Sequence, residues 1–151
     1  MPETSGASQT IVIDANLAVW NVLPLLADHD VTERFRRWRA EGRRLIAPAL
    51  WSAECVSAIR RCLFGRLISI EQGRRAIEDL FALEIETIPI DVELSRLAFE
   101  WAGRLGQAQA YDAFYLALAA QLAAELWTAD RRLVDAARQA GVTWIRWSRE
   151  S

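Results

Sequence analysis

The chain has 151 residues, of which 52% are hydrophobic and 25% charged, as in an ordinary globular domain with a sizeable core. Its formal net charge of -2 excludes a strongly basic coating for nucleic acid but leaves room for a local basic patch. All 18 basic residues are arginine. The absence of lysine excludes a P-loop lysine, a Schiff-base lysine and a Ser–Lys nucleophile pair.

Residues 1–9 are predicted to form a disordered tail and residues 10–149 a single domain. No apolar run approaches membrane-spanning length, and the first residues carry no signal-peptide pattern, so we expect a cytoplasmic protein with no membrane partner. Cys55 and Cys62 are separated by roughly 10 Å of helical rise, too far for a disulfide. The single histidine, His29, falls in a predicted polar turn, which disfavours a His-based zinc site or catalytic triad.

Short apolar segments alternate with segments of helical periodicity along the chain. The predicted strands are, in order, IVI, RRLIAP, IETIPI, ELWTA and VTWIRW. The predicted helices are LAVWNVLPLL, broken near Pro24; a segment with Val31, Phe35 and Trp38 on one face; WSAECVSAIRRCLF, with Pro48 in its first turn and Gly65 at its end; ISIEQGRRAIEDLFAL, capped by Ser69; DVELSRLAFEWAGRL; AYDAFYLALAAQLAA; and DRRLVDAARQA. This alternation predicts an α/β fold with helices on both faces of a parallel sheet.

Four carboxylates occupy positions that acids normally avoid. Asp14 and Asp130 directly follow predicted strands, where ligands bind in parallel sheets. Glu54 and Asp112 lie on apolar faces of predicted helices. Four acids gathered in one pocket would repel each other, and a divalent cation removes that penalty. The pattern therefore indicates a carboxylate metal site.

Each acid also has a structural explanation. Asp14 and Asp130 are both suited to cap the helices that follow them. Asp112 suits the first turn of its helix, where the helix dipole favours negative charge. Glu54 is harder to explain in this way, because Leu50, Trp51 and Ala58 share its face. Both interpretations stay open at this point.

The acids and the residues that flank them resemble the PIN-domain nucleases, most closely the VapC-type toxins of toxin–antitoxin pairs. The resemblance covers nearly the whole chain. It rests on Asp14 and Asn16 in IVIDANLAVW, Glu54 in APALWSAECVSAI, Asp112 in YDAFYLALA, and Thr128 and Asp130 in WTADRRL. The segment GRLISIEQ resembles the linker that follows the second acid in that family. The resemblance implies a three-layer α/β/α sandwich with a central parallel sheet of four to five short strands.

The resemblance further implies a magnesium- or manganese-dependent endoribonuclease that hydrolyses RNA phosphodiester bonds with a metal-activated water. Asp14 and Asp112 would be the principal metal ligands. Glu54 and Asp130 would orient metal-bound water or hold a second ion, and one of them could be the general base. Two polar residues, Asn16 and Thr128, would hydrogen-bond the carboxylates or the scissile phosphate.

Implied partners are an RNA substrate, a second copy of the chain in a homodimer, and a cognate antitoxin. In the family an antitoxin segment lies in an apolar groove and can place an arginine among the acids. We expect that groove between the Glu54 helix and the helix from Ile70 to Leu83. Arg60, Arg61 and Arg66 are candidates for RNA-backbone contacts, although they equally suit a solvated helix end.

Two other functions are compatible with this pattern. The first is a PIN-like interaction module with weak catalysis, which four retained acids disfavour because buried charge destabilises a pure scaffold. The second is a phosphatase with Asp14 as nucleophile. That chemistry calls for a second aspartate two residues later, where this chain has Asn16.

Overall fold

The computed structural model describes residues 9–23 and 29–150. Within them the chain forms a parallel sheet with neighbour order β3-β2-β1-β4-β5. Its strands are β1 (Thr10–Ile13), β2 (Arg44–Pro48), β3 (Glu86–Ile88), β4 (Glu125–Thr128) and β5 (Ile145–Trp147). The expected tail falls largely outside the described residues and stays a prediction. Gln9 is described, and its carbonyl accepts a hydrogen bond from the Arg44 amide at 2.8 Å.

Helices flank the sheet and complete the predicted three-layer α/β/α sandwich. They are α1 (Ala15–Val22), α2 (His29–Ala40), α3 (Trp51–Phe64), α4 (Ile70–Ala82), α5 (Val92–Arg104), α6 (Tyr111–Gln121) and α7 (Arg131–Gln139). Ser69 caps α4 in a capping box with Gln72, as its hydroxyl accepts from the Gln72 amide and the Gln72 side chain accepts from the Ser69 amide. None of these helices is long and apolar enough to cross a bilayer.

Helix α6 is the central packing element. Six of its residues, from Ala113 to Ala119, are buried, and the helix contacts β1, β2 and β4. Its apolar character around most of its circumference is what a helix needs when it packs between a sheet and another helix. Because α6 is held so firmly, the acid in its first turn has a fixed position relative to the sheet.

Two predicted details of the elements were wrong. Pro48 is the last residue of β2 and does not belong to the first turn of α3, which begins at Trp51. Pairing between β1 and β2 ends at Val12 and Ile46, so the missing amide hydrogen of Pro48 breaks no ladder bond on that side. His29 begins α2 and does not lie in a turn. The predicted break near Pro24 falls outside the described residues.

The sheet order places the chain's topological switch point between β1 and β4. The chain proceeds from β1 outward to β2 and β3, and then returns to β4 on the other side of β1. Ligands bind at the carboxyl ends of strands at such a point. Asp14 follows β1 there, and Asp130 follows β4.

Candidate active site

Asp14 lies between the carboxyl end of β1 and α1, and as the N-cap residue of α1 its side chain accepts no capping hydrogen bond. It is only 5% exposed, and the Thr128 hydroxyl donates a 2.8 Å hydrogen bond to its Oδ2. Burial, assisted by the charges of Asp112 and Glu54 and opposed by the Thr128 hydrogen bond, raises the pKa of Asp14 to about 7. A carboxylate held at this position is poised to bind a cation or a proton.

A hydrogen-bond network fixes this carboxylate from the β4 side. The single hydroxyl proton of Thr128 goes to Asp14, while its oxygen accepts from the Asp130 amide at 3.0 Å and from Asn16 Nδ2 at 3.3 Å. Asn16 Oδ1 accepts from the Ala129 amide at 3.1 Å. The expected supporting role of Asn16 and Thr128 around Asp14 therefore has a defined geometry.

Glu54 reaches the site from the first turn of α3. The hydroxyl of Tyr115, on α6, donates a 2.7 Å hydrogen bond to Glu54 Oε1. Burial raises the pKa of Glu54 above its usual value, and so does the charge of Asp112, whereas Tyr115 and Arg61 oppose the rise. Glu54 is half-buried, so one side of the carboxylate stays available to a ligand.

Asp112 and Asp130 complete the group of acids. Burial raises the pKa of Asp112, as does the charge of Asp130, while a hydrogen bond from the Gln107 side chain opposes the rise. Asp130 is the N-cap of α7, where its Oδ1 accepts from the Arg132 amide at 3.0 Å and the Leu133 amide at 3.3 Å. One oxygen of Asp130 is thus committed to the helix.

The acids open onto a cleft of about 470 Å³, which we call the acidic cleft. Asp14, Glu54 and Asp112 line it, together with Asn16 and other residues of α1, α3 and α6. Asp130 does not line the cleft, but it lies close enough to Asp112 for its charge to raise the pKa of that carboxyl. The structure therefore brings three of the four predicted acids into one cleft and places the fourth at its edge.

The chemistry of this donor set fits a hard divalent cation. All the candidate donors are oxygens, which suits Mg²⁺ and Mn²⁺ better than softer metals. Burial and, to a smaller extent, the charges of Asp112 and Glu54 disfavour the ionised form of Asp14, and a bound cation would offset both effects. Across the described residues, no three acidic, cysteine or histidine side chains meet as a ready-made ligand set. Binding would therefore require these side chains to draw closer.

The three candidate arginines lie in different surroundings. Arg61 lines the acidic cleft and lowers the pKa of Glu54 by its charge. Arg60 lies instead on a groove between α3 and α4. Arg66 is exposed in the turn after α3, with a φ of 61°. Arg61 is therefore the best placed of the three to meet a phosphate in the cleft.

Sequence reasoning missed two residues that hold the acids in place. Tyr115 belongs to the apolar face of α6 by its spacing and is fully buried, yet its hydroxyl serves Glu54. Its position three residues after Asp112, on the same helix face, was the available signal. Gln107 lies in the loop before α6, where nothing in the local sequence pattern indicates its hydrogen bond to Asp112.

Sequence comparison relates the chain to known proteins. A family model described as the PIN domain matches residues 11–139. Ribonuclease VapC9 of Mycobacterium tuberculosis is 34% identical over 125 residues, which cover 83% of this chain and 89% of the relative. Ribonuclease VapC12 of the same species is 31% identical over 125 residues, which cover 83% of this chain and 90% of the relative.

Solved structures share the fold at lower identity. The protein PAE2754 from Pyrobaculum aerophilum superposes with a TM-score of 0.61 and 17% identity, covering 94% of this chain and 90% of that one. FitAcB from Neisseria gonorrhoeae superposes with a TM-score of 0.61 and 19% identity, covering 91% of this chain and 97% of that one. Because the family model matches most of the chain and the VapC ribonucleases are more than 30% identical to it, the chain belongs to the PIN-domain family and is a protein of the VapC type.

Proposed function

We propose that this protein is a Mg²⁺- or Mn²⁺-dependent endoribonuclease and the toxin of a VapBC-like pair. One observation carries the proposal: Asp14, Glu54 and Asp112, from three separate elements, line a single cleft, where the charge of Asp112 raises the pKa of both other carboxyls. The ribonuclease names of the relatives support the choice of RNA as substrate.

In this proposal Asp14 and Asp112 hold the cation, with Glu54 beside them and Asp130 at the edge. The bound ion would lower the pKa of water and neutralise charge on the scissile phosphate. Thr128 and Asn16 keep Asp14 in its position. Glu54 is suited to accept a proton from the attacking water, because one of its oxygens is fixed by Tyr115 while the carboxylate stays half-exposed. Arg61 attracts the RNA backbone to the cleft.

The proposed antitoxin occupies the groove between α3 and α4, which we call the α3–α4 groove. Its volume is about 220 Å³, and its lining is largely apolar. Val56 and Ile70, which line it, are 41% and 52% exposed, and Ile59 is buried beneath them. An amphipathic segment that covers these side chains would gain hydrophobic free energy. An arginine of the same partner could then pair with the acids and thereby exclude the metal from them.

We also propose that the protein forms a homodimer. Val92 and Phe99 on α5 are 77% and 78% exposed, which is unusual for large apolar side chains on one helix. Contact with a second copy would remove this surface from water. Light scattering of the purified protein should give twice the chain mass, and a monomer that persists at high concentration would contradict this part of the proposal.

The nuclease activity is tested by incubating the purified protein with RNA in Mn²⁺, in Mg²⁺ and in EDTA. We expect internal cleavage with either metal and none in EDTA. A protein that cleaves no RNA with either metal would instead be an interaction module.

The partner is tested by co-expression with the product of the adjacent upstream reading frame, which should give a stable complex with suppressed cleavage. A complex that cleaves RNA as fast as the free protein would contradict the inhibition model.

A further inference from the structure

The acidic cleft is the middle of a longer groove with an aromatic side chain on each side. A second cleft, the Trp20 arm, shares Asn16, Ala58 and Arg61 with the acidic cleft. A third, the Tyr111 arm, shares Glu54, Tyr111 and Asp112 with it. Because lining residues are shared, each arm adjoins the acidic cleft.

The Trp20 arm combines an aromatic surface with positive charge. Its volume is about 290 Å³, and Val19, Cys62 and Leu67 give it apolar walls. None of the described residues that line it is acidic, in contrast to the acidic cleft beside it. The Arg149 guanidinium lies 5.6 Å from the centre of the Trp20 ring. An apolar cleft with arginines at its border suits a flat base attached to a phosphate backbone.

The Tyr111 arm combines an aromatic side chain with amides. It has a volume of about 480 Å³, and Gln107 and Gln109 line it. Tyr111 begins α6 and is 58% exposed, so its ring is available to a ligand. Amide side chains can both donate to and accept from the edge of a base. This arm therefore offers stacking together with hydrogen bonds that can distinguish one base from another.

We propose that Trp20 and Tyr111 are stacking platforms for the two bases that flank the scissile phosphate of a single-stranded RNA. The assignment rests on the proposed nuclease function and specifies its substrate. Tyr111 directly precedes Asp112, and Trp20 is about one helical turn beyond Asn16, so both platforms adjoin the acids. Bases inside a duplex are already stacked and paired, so they cannot reach either ring. The amides of Gln107 and Gln109 select the base that stacks on Tyr111.

The test uses a fluorescent single-stranded RNA of about ten nucleotides. Its dissociation constant is measured by anisotropy in Ca²⁺, after a gel has shown that the probe stays intact, and KM and kcat are measured in Mn²⁺. Trp20→Ala and Tyr111→Ala remove the platforms, and Trp20→Phe and Tyr111→Phe retain an aromatic ring. Trp20→Leu gives a second non-aromatic variant in case Trp20→Ala does not fold. Phe81→Ala removes an exposed ring that lines none of the three clefts.

We expect each non-aromatic variant to raise the dissociation constant and KM about five- to 150-fold, with a much smaller change in kcat. The Phe variants should bind more tightly than the matching Ala variants because they keep an aromatic ring, and Phe81→Ala should stay at the wild-type value. An RNA duplex should bind all variants equally weakly. If wild type cleaves RNA and the Ala variants bind it within twofold, the platform assignment is wrong and the nuclease proposal stands. If the variants still bind RNA but no longer bind the antitoxin, the two arms belong to the protein partner's binding site and the proposal is overturned. A wild-type protein that neither binds nor cleaves RNA would overturn both.

Discussion

The hydroxyl of Tyr115 joins α6 to α3 by donating a 2.7 Å hydrogen bond to Oε1 of Glu54. Tyr115 is fully buried, so this donor is held in one orientation by the core around it. Burial raises the pKa of Tyr115 as well, which keeps the hydroxyl protonated and able to donate. The core thereby determines where one carboxylate of the acidic cleft points.

Removing this hydroxyl should impair catalysis more than stability. In Tyr115→Phe the ring still fills its place, but Glu54 loses its orientation and the hydrogen bond that lowers its pKa. We expect an activity loss of about tenfold, with KM for RNA unchanged and the midpoint of the Mn²⁺ titration raised. Tyr111→Phe is the matched control, because it removes a phenol hydroxyl from the same helix. Equal kcat values for both variants would remove Tyr115 from the account.

The burial of Asp14 predicts how stability depends on pH without metal. Its pKa is about 7 in the folded protein against a usual value of 3.8, so between these pH values the unfolded chain releases the proton first. The free energy of unfolding should therefore fall across this range by on the order of 4 kcal/mol through this group alone. Below it the carboxyl is neutral in both states, and above it the penalty is constant.

Asp14→Asn isolates that effect. In denaturant melts in EDTA, the free energy of unfolding of the variant should rise relative to that of wild type as pH rises from about 4 to 7. Glu54 and Asp112 titrate in both proteins, and their repulsion of residue 14 is lost only in the variant. A stability difference that does not change with pH would mean that the pKa of Asp14 is not raised in the folded protein.

Asp112 should behave as a ligand in thermal melts. Metal at about a hundred times its dissociation constant raises the free energy of unfolding by roughly 2.7 kcal/mol. At about 2–4 °C per kcal/mol, the melting temperature should rise by several degrees. Asp112→Asn should melt higher than wild type in EDTA, because a charge that burial and Asp130 disfavour is gone, and should gain less from Mn²⁺. A variant that melts lower in EDTA and keeps the full metal increment would show a structural residue.

Asp130 allows its two possible roles to be separated. Asp130→Ala removes both the cap of α7 and the charge, whereas Asp130→Ser keeps an oxygen that can accept from the amides of Arg132 and Leu133. We expect the Ala variant to lose about 1 kcal/mol of stability and the Ser variant to lose little. Both should cleave RNA more slowly if the charge serves the cation. Full activity in the Ser variant would leave Asp130 with the capping role alone.

Most of the fold follows from the sequence because hydrophobic periodicity is local and strong. The apolar runs before Asp14 and Asp130 are too short for helices, and they occupy neighbouring central strands. Pro48 was misplaced because proline suits both the first turn of a helix and the end of a strand. The pairing of Pro48 with Ile88 of β3 places it in the strand, and pairing across distant segments is not written in a local pattern.

The site was predicted less completely, for a related reason. Glu54 and Asp112 are conspicuous because an acid on an apolar helix face needs a partner. Tyr115 is inconspicuous because tyrosine suits a core with or without a role for its hydroxyl. Asp130 is ambiguous in sequence because an N-cap and a rim ligand occupy the same position after a strand. The structure shows that Asp130 caps α7 and that its charge also raises the pKa of Asp112.

The central claim is that the acidic cleft cleaves RNA, and the most direct measurement compares cleavage by wild type, Asp14→Asn and Asp112→Asn in saturating Mn²⁺. Each substitution removes one carboxylate charge with almost no change in volume, and melts in EDTA verify that the variants are folded. We predict metal-dependent cleavage by wild type and none above background by either variant, because a lost ligand removes the bound ion or its charge stabilisation. Near-wild-type cleavage by either folded variant would contradict the account.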